Sequence, residues 1–331
     1  MTPTFDSLLQ GFFCQRLIEQ RGVSPCTVVA YRDTFRLLLA YLPLRLGKAV
    51  SEFTLADLDS VNVIAFLDYL ESERGNGART RNARLAALRS FVRYAASRDP
   101  TAWPLANRVL AIPQKRHDKP LVMYLTRQEM EAVLAAPDGE TWAGHRDRVL
   151  FAVMYNTGMR VSEAISLRGQ DLNTESQGRS LRIRGKGRKE RVVPLWKQTV
   201  VVLRAWLKRL GPPADGPLFP NARGRPLSRS GVEDRLAAAV KKAREACPSL
   251  RGKVVSPHTI RHTTAMHLLQ SGVDLTVIAL WLGHESPQTT HQYVEADLKM
   301  KEEVLKQVKG VPVEQTRYKP KPALLEFLDN L

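Results

Sequence analysis

Cysteine is scarce in this sequence, and the positions of the few present exclude two kinds of site. The 331 residues include three cysteines, Cys14, Cys26 and Cys247. They lie far apart, so they form neither a disulfide framework nor the CxxC spacing of a zinc site. We interpret all three as buried free thiols.

Long apolar runs are also missing. No uninterrupted stretch approaches the ~18 apolar residues of a membrane span. The first residues, MTPTFDSLLQ, lack the basic start and the small-residue cleavage site of a secretory signal. Internal repeats and low-complexity segments are absent too. We therefore expect a cytoplasmic protein with no membrane partner.

Positive charge, in contrast, is present in excess. Lys and Arg number 50 against 33 Asp and Glu, which gives a net charge of +17 and a pI near 10.1. A compact chain with this charge repels itself unless an anionic partner offsets it. Nucleic acid is the partner that we favour, ahead of an anionic membrane surface and of ribosome-type RNA. A DNA partner would place the protein at the bacterial nucleoid.

The length and the 44% hydrophobic content are those of a globular protein with two domains. Residues 1–98 are predicted to be helical, with helices from Ser24-Pro25 to about residue 42 and near 54–74 and 78–97. The last helix carries arginines beside its apolar face. A solvated face is the ordinary interpretation, but the net charge favours contacts with a DNA backbone by Arg79, Arg81, Arg84, Arg89 and Arg93.

Two further segments follow the helical domain. Residues 99–120 contain four prolines and the basic run QKRHDK, which predicts an extended linker whose Lys115 and Arg116 contact DNA. Residues 121–310 form a second domain, mainly helical, with a β-hairpin in SLRIRGKGRKERVVPL. The fold class is therefore mainly α with a small antiparallel sheet (α+β).

The tail, residues 311–331, ends in ALLEFLDNL. Its leucines lie on one face of a predicted helix that is too short to be stable alone. We expect this helix to dock, either on its own domain or on a neighbouring subunit.

The segment NTGMRVSEAISL holds Arg160 and Glu163 one helical turn apart, so that the carboxylate can orient the guanidinium. Such a pair is usually a surface ion pair. The hairpin tip GKGRK places Lys186 between two glycines, where a lysine can approach a phosphate, with Arg188 and Lys189 beside it. A basic turn that only touches a DNA backbone is the alternative, and the GK[ST] ending of a P-loop is missing.

The segment SPHTIRHTTAMH raises the possibility of a zinc site, because His258 and His262 are four residues apart. Ser256-Pro257 predicts a helix N-terminus here, which favours an anion, as does the permanent charge of Arg261. The glutamate of HExxH is also missing. We therefore favour phosphate over zinc and expect His262 to be a packing or supporting residue that tolerates substitution better than His258.

The segment DLTVIALWLGHESPQTTHQYV places His284 in a turn between two predicted helices and Tyr293 nine residues later. Alone, each would be interpreted as structural. Together with Arg160, Lys186, His258 and Arg261, in this order and spacing, they resemble the tyrosine recombinase (phage integrase) family. The resemblance covers about 121–300, and residues 1–98 resemble the helical, SAM-like core-binding domain of that family.

The resemblance implies a DNA strand transferase in which Tyr293 attacks the scissile phosphate to give a 3′-phosphotyrosyl link. Arg160 and Arg261 would bind the non-bridging oxygens. Lys186 would protonate the leaving oxygen, His258 would handle the tyrosine proton and His284 would donate to the phosphate. Because the covalent link conserves the bond energy, neither a metal nor another cofactor is expected.

The resemblance further implies a C-shaped clamp of the two domains on double-stranded DNA, four protomers in the synaptic complex, and a tail that docks on the adjacent protomer. We expect the integrase or transposase of a mobile element, with a possible accessory protein. A Xer-type dimer resolvase is the alternative. A type IB topoisomerase and a catalytically idle DNA-binding relative are more remote.

Overall fold

The computed structural model describes residues 3–117, 122–173, 178–185, 189–211 and 215–284, together with Thr290 and Tyr293. The chain divides into two compact units, Met1–Lys119 and Pro120–Leu331. The first is helical, and the second adds a three-stranded sheet to a larger set of helices. The predicted class, mainly α with a small antiparallel sheet, is confirmed.

The first unit is built around an aromatic core. Phe12, Phe35 and Phe91 are buried, and their ring centroids lie 5.1–6.2 Å apart at steep angles, which is the favoured geometry of aromatic pairs. The helices that surround this core confirm the predicted ones in kind and place. They are α1 (Phe5–Gly11), which continues as a π-helix (Phe12–Gln20), α2 (Pro25–Leu46), α3 (Ser60–Ser72) and α4 (Ala78–Arg98). A further helix, α5 (Trp103–Ala111), follows them.

Helix α5 contradicts the prediction of an extended linker over 99–120. Its Pro104 lies in the first turn, where a proline needs no hydrogen-bond partner and its fixed φ suits the helix. The apolar face of α5, with Ala106 and Val109, is buried in the core of the first unit. Only the segment that follows Ile112 lacks regular structure up to residue 117.

The second unit packs its helices around α7, which is buried along most of its length. A three-stranded antiparallel sheet, in the order β1-β2-β3, flanks this core. The predicted hairpin is confirmed, with Leu181 opposite Val193 in the register. The elements are α6 (Arg127–Ala135), α7 (Trp142–Thr157), α8 (Val161–Ser166), β1 (Leu172–Asn173), β2 (Ser180–Arg184), β3 (Glu190–Pro194), α9 (Lys197–Leu210), α10 (Arg229–Ala246), α11 (Pro257–Gln270) and α12 (Leu275–Leu282).

Gly158 lies where the end of α7 meets the end of α12. It ends α7 with a left-handed φ of 60°, which favours glycine. A Cβ at this position would also lie 2.3 Å from Leu282 Cδ2, so the Leu282 side chain at the end of α12 would have to shift. This close approach brings the starts of α8 and α11 to the end of α12.

Two other predictions can be compared with the structure. Cys247 is buried as predicted, but Cys14 and Cys26 are exposed, because they lie on the outer faces of their helices. Among the described residues, no helix combines the length and apolar character needed to cross a membrane. The predicted tail, 311–331, lies outside the described residues.

Candidate active site

The start of α11 carries two of the predicted site residues, His258 and Arg261. Ser256 caps the helix by accepting the Thr259 N–H at 3.2 Å, and Pro257 follows in the first turn. Arg261 is only 4% exposed and donates to the Gly158 carbonyl at 2.6 Å and the Leu282 carbonyl at 2.8 Å. These two bonds fix the guanidinium between the ends of α7 and α12.

Arg160 is placed beside Arg261 by the start of α8. The Glu163 carboxylate accepts the Arg160 backbone N–H at 2.8 Å and its Nη1 at 3.0 Å, so it both begins the helix and orients the side chain, as predicted. Burial lowers the pKa of Arg261 to about 10, and the charge of Arg160 contributes. The Arg261 guanidinium therefore stays charged at neutral pH and, with the guanidinium of Arg160, forms a site for an anion.

Arg191 is a part of this arrangement that the sequence analysis missed. Its Nη2 and Nη1 donate to the Glu163 carboxylate at 2.8 and 3.2 Å, and its Nε donates to the Trp281 carbonyl at 3.0 Å. Burial would raise the pKa of Glu163, but the hydrogen bond and charge of Arg191, with Arg160, lower it instead. The sequence does contain a signal that Arg191 points inward. In the predicted strand it lies two residues before buried Val193 and therefore on the same face.

The hairpin leads toward the same carboxylate. Gly185, the residue after β2, lies next to this carboxylate, since a Cβ there would lie 3.4 Å from Glu163 Oε1, an ordinary contact distance. Its N–H donates to the Lys189 carbonyl at 2.7 Å and closes the base of the tip. Lys186 and Arg188 lie outside the described residues, and Lys189 is exposed.

Two histidines border the arginine pair. His284 follows α12, which ends at Gly283 with a φ of 66°, and its Nδ1 lies 2.8 Å from Thr290 Oγ1. Burial lowers the pKa of His284 to about 4, and the charges of Arg261 and Arg160 contribute. Burial, then Arg261, also lowers the pKa of His258. Both imidazoles are therefore neutral at pH 7.

Tyr293 is fully buried in this cluster, in the same chain as the arginines. Its ring stacks on His284 at 6.2 Å and 15°. Its hydroxyl lies 3.0 Å from His262 Nδ1. His258, which was expected to handle the tyrosine proton, contacts the ring of His262 at 6.1 Å. The contact of His262 with Tyr293 was not foreseen from the sequence.

The predicted DNA-binding arginines of α4 do not form one exposed face. Arg79 and Arg93 are exposed, but Arg81 is 4% exposed and pairs with Glu71 at 3.2 Å. Arg84 and Arg89 are partly buried, and they donate to Thr34 Oγ1 and to the Ile112 carbonyl. The reason is that 81, 84 and 89 lie near the buried face of the helix, where their guanidiniums contact groups of the same domain.

The basic residues Lys115 and Arg116, in the segment predicted to be a linker, are exposed. Lys115 Nζ lies 2.7 Å from Glu71 Oε2, and its backbone exchanges two hydrogen bonds with Asn82 at 2.8 and 3.0 Å. Arg116 is exposed beside it. This segment is thus held on the first unit, with side chains available at the surface.

The site differs from a metal centre. Within the described part of the chain, no group of three or more His, Cys, Asp or Glu side chains is arranged to hold a metal ion. His258 and His262 are neighbours, but cationic Arg261 lies on the same helix between them. Two fixed guanidiniums, neutral imidazoles and a buried phenol instead suit attack by tyrosine on a phosphodiester.

A helical domain followed by a domain with this cluster of arginines, histidines and a tyrosine indicates an enzyme that acts on phosphodiesters. The chain belongs to the phage integrase family. The model of that family matches residues 123–300, and the model of the phage integrase N-terminal SAM-like domain matches residues 11–99. As a member of this family of tyrosine recombinases, the protein is an enzyme that cuts and rejoins DNA.

Similar proteins agree with this assignment. The protein named integrase/recombinase y4rC of Sinorhizobium fredii is 48% identical over 324 residues, covering 98% of this chain and 97% of the relative. Tyrosine recombinase XerC of Pelobacter propionicus is 33% identical over 292 residues, covering 86% and 90%. A crystal structure of the XerH site-specific recombinase bound to a difH substrate has the same fold, with a TM-score of 0.70 at 23% identity, covering 86% and 81%.

Proposed function

We propose that the chain is a site-specific recombinase in which Tyr293 is the nucleophile. The observation that carries this proposal is the burial of the Tyr293 phenol against residues of α11 and the turn after α12, in the unit that holds the arginine pair. Arg160 and Arg261 bind the non-bridging oxygens of the scissile phosphate, a task for planar and permanently charged groups. Attack by Tyr293 Oη forms the O–P bond and releases a 5′-hydroxyl.

The remaining roles follow from the protonation states. When the Thr290 hydroxyl donates to His284 Nδ1, the proton of the neutral imidazole lies on Nε2, which can donate to a phosphate oxygen. Lys186 protonates the leaving 5′ oxygen, and His258 handles the tyrosine proton. No cofactor takes part, because the phosphotyrosyl link conserves the energy of the broken bond. The nearby cations favour the phenolate, whose ordinary pKa near 10 makes phenol a poor nucleophile at pH 7.

For the biological role, we propose the integrase or transposase of a mobile element. The more extensive likeness to a protein named as an integrase/recombinase, compared with XerC, supports this over a Xer-type dimer resolvase. The partner is double-stranded DNA with specific sites, bound at the nucleoid by both units. The exposed Arg79, Arg93, Lys115 and Arg116 are available for the DNA backbone. Four protomers join two sites, with accessory proteins as possible partners.

The assignment of the nucleophile is tested by Tyr293→Phe. The variant should bind DNA as the wild type does but form no covalent adduct, because the attacking oxygen is missing. Denaturing gels of suicide duplexes made from candidate element ends measure the adduct, and mobility shifts measure binding. Tyr155→Phe is the matched control, since Tyr155 is partly buried and its hydroxyl is also hydrogen-bonded to a histidine of α11, at 2.7 Å.

Each outcome separates one alternative. An adduct in Tyr293→Phe would place the nucleophile elsewhere. No adduct from the wild type on any element end would favour a catalytically idle DNA-binding relative. Relaxation of any supercoiled plasmid, without a specific site, would favour a type IB topoisomerase.

A further inference from the structure

The roles proposed above leave one contact of the nucleophile without a function. His262 Nδ1 lies 3.0 Å from Tyr293 Oη, and the two rings meet edge to face at 5.6 Å and 60°. His262 lies one residue after Arg261, so the residue that touches the phenol belongs to the same rigid turn of helix as an arginine of the site. Of the two roles expected for His262, packing or support of the site, this contact favours support.

We propose that His262 is a positioning residue for the nucleophile, whose Nδ1 accepts the Tyr293 hydroxyl proton in a hydrogen bond and holds the oxygen at the arginine pair. The proposal rests on the function proposed above. Tyr293 follows α12, whereas Arg160 follows α7. Because they are far apart in the sequence, no local structure aligns them. A fixed bond from α11 to the phenol supplies that alignment.

The neutral charge of His262 allows the phenol to be the donor of this hydrogen bond. Burial lowers the pKa of His262 to about 4, and the neighbouring His258 and Arg261 contribute. The ring is therefore neutral at pH 7, so Nδ1 can carry a lone pair and accept from the phenol. A phenol that donates to a fixed acceptor is held in one orientation, which is what attack on phosphorus requires.

A second His–Tyr pair on the same helix shows what a purely structural pair looks like. His267 Nδ1 lies 2.7 Å from Tyr155 Oη, and the rings meet at 5.7 Å and 89°. The two pairs share the donor, the acceptor atom and the helix. They differ in position, because Tyr155 lies on α7 and takes no part in the roles assigned above. Substitution of His267 therefore measures the cost of losing such a bond to stability alone.

The test compares three variants in single-turnover cleavage on the suicide duplex that the wild type cleaves. His262→Phe keeps a ring but has no acceptor, and should lower the rate of adduct formation by ~100-fold at saturating protein, as expected for a misplaced reacting group. His262→Asn keeps a polar atom near the position of Nδ1 and should stay within ~10-fold of the wild type. His267→Phe should cleave at the wild-type rate. The dissociation constant for DNA should be unchanged in all three.

Two results in this assay would overturn the proposal. One is a rate for His262→Phe that equals that of the wild type or falls no further than that of His267→Phe. The other is a rate for His262→Asn as low as that for His262→Phe, which would show that the hydrogen bond is not what positions the phenol.

A DNA-free measurement separates this proposal from the proposed function. The chain has eight tyrosines. Labelling their Cζ atoms with ¹³C gives one NMR line each, and Tyr293→Phe identifies that of Tyr293. His262→Phe should shift this line, whereas His267→Phe should shift the line of Tyr155. If the wild type cleaves no duplex, the recombinase function fails, and the line still reports on the contact. An unmoved Tyr293 line in His262→Phe would overturn the inference.

Discussion

Burial changes the chemistry of the histidines around Tyr293 more than their order in the sequence suggests. His262 and His284 both have a pKa of about 4, and in each case burial is the largest cause. At pH 7 they act as neutral hydrogen-bonding groups, and the positive charge beside them comes from Arg160 and Arg261. The arginines thus keep the site cationic, while the neutral imidazoles can accept hydrogen bonds.

These pKa values predict how stability depends on pH. Above pH 6.5, the ordinary pKa of histidine, His262 and His284 are neutral in the folded and the unfolded chain. As the pH falls from 6.5 to about 4, the unfolded chain binds protons that the folded site does not, so stability should decrease through this window. The melting temperature measured between pH 7.5 and 5 checks the prediction.

Single variants show which histidine causes the pH dependence of stability. His262→Asn and His284→Asn should each lose less of their melting temperature on acidification than the wild type, since each removes one depressed group. The prediction fails if both variants follow the wild-type dependence. Exposed His117 offers a control, and His117→Asn should leave the dependence unchanged.

Strand β3 contributes to the site through Arg191, which joins three elements. Its guanidinium binds Glu163 on α8 and the carbonyl of Trp281 on α12. The side chains of Arg191 and Glu163 are 12% and 4% exposed, so solvent screens their interaction little. We infer that this ion pair ties the hairpin that carries Lys186 to the carboxylate that orients Arg160.

Replacing Arg191 by Met should therefore destabilise the second unit by about 3 kcal/mol, because Glu163 is left buried with one partner fewer. Cleavage should fall as well, since the hairpin loses its link to Arg160. Thermal unfolding and adduct formation measure the two effects.

Arg184→Met is the matched control on the same hairpin. Arg184 pairs with Glu190 at 3.2 Å, but the two side chains are 56% and 50% exposed. Such a pair contributes less than about 1 kcal/mol. Equal shifts in melting temperature for the two variants would show that Arg191 contributes no more than a surface pair.

For the assembled enzyme, the tail is the segment whose role most needs a test. We propose that residues 311–331 dock on a neighbouring protomer through the leucine face of ALLEFLDNL. A chain that ends at Arg317 lacks this face but keeps every catalytic residue named above. It should bind and cleave single sites as the full chain does, while synapsis and strand exchange are lost.

Gel-shift analysis of two-site complexes, with recombination assays beside it, distinguishes the outcomes. The full-length variant Leu328→Asp is the companion, because it keeps the length and removes only apolar contact. Unchanged synapsis and strand exchange in both chains would refute docking in trans. Loss of single-site cleavage would indicate docking on the same subunit.

Most of the fold could be predicted from the sequence because its signals are local. Helix caps such as Ser24 and Ser256, and the alternation around the glycines of the hairpin, act within a few residues. The prediction was wrong at α5, where Pro104 looked like a break and is instead a first-turn residue. A proline in the sequence does not reveal which side of a helix start it occupies.

Motif order and spacing along the chain were enough to indicate the chemistry, since Arg160, Arg261, His284 and Tyr293 are recognisable without coordinates. The tertiary structure decided which groups touch. Helical spacing puts His258 and His262 on one face of α11, and only the return of the chain at Tyr293 selects His262. Likewise, only the packing of β3 against α8 and α12 gives Arg191 its three bonds. Spacing fixes what lies on one element, whereas contacts between elements depend on how distant parts of the chain pack.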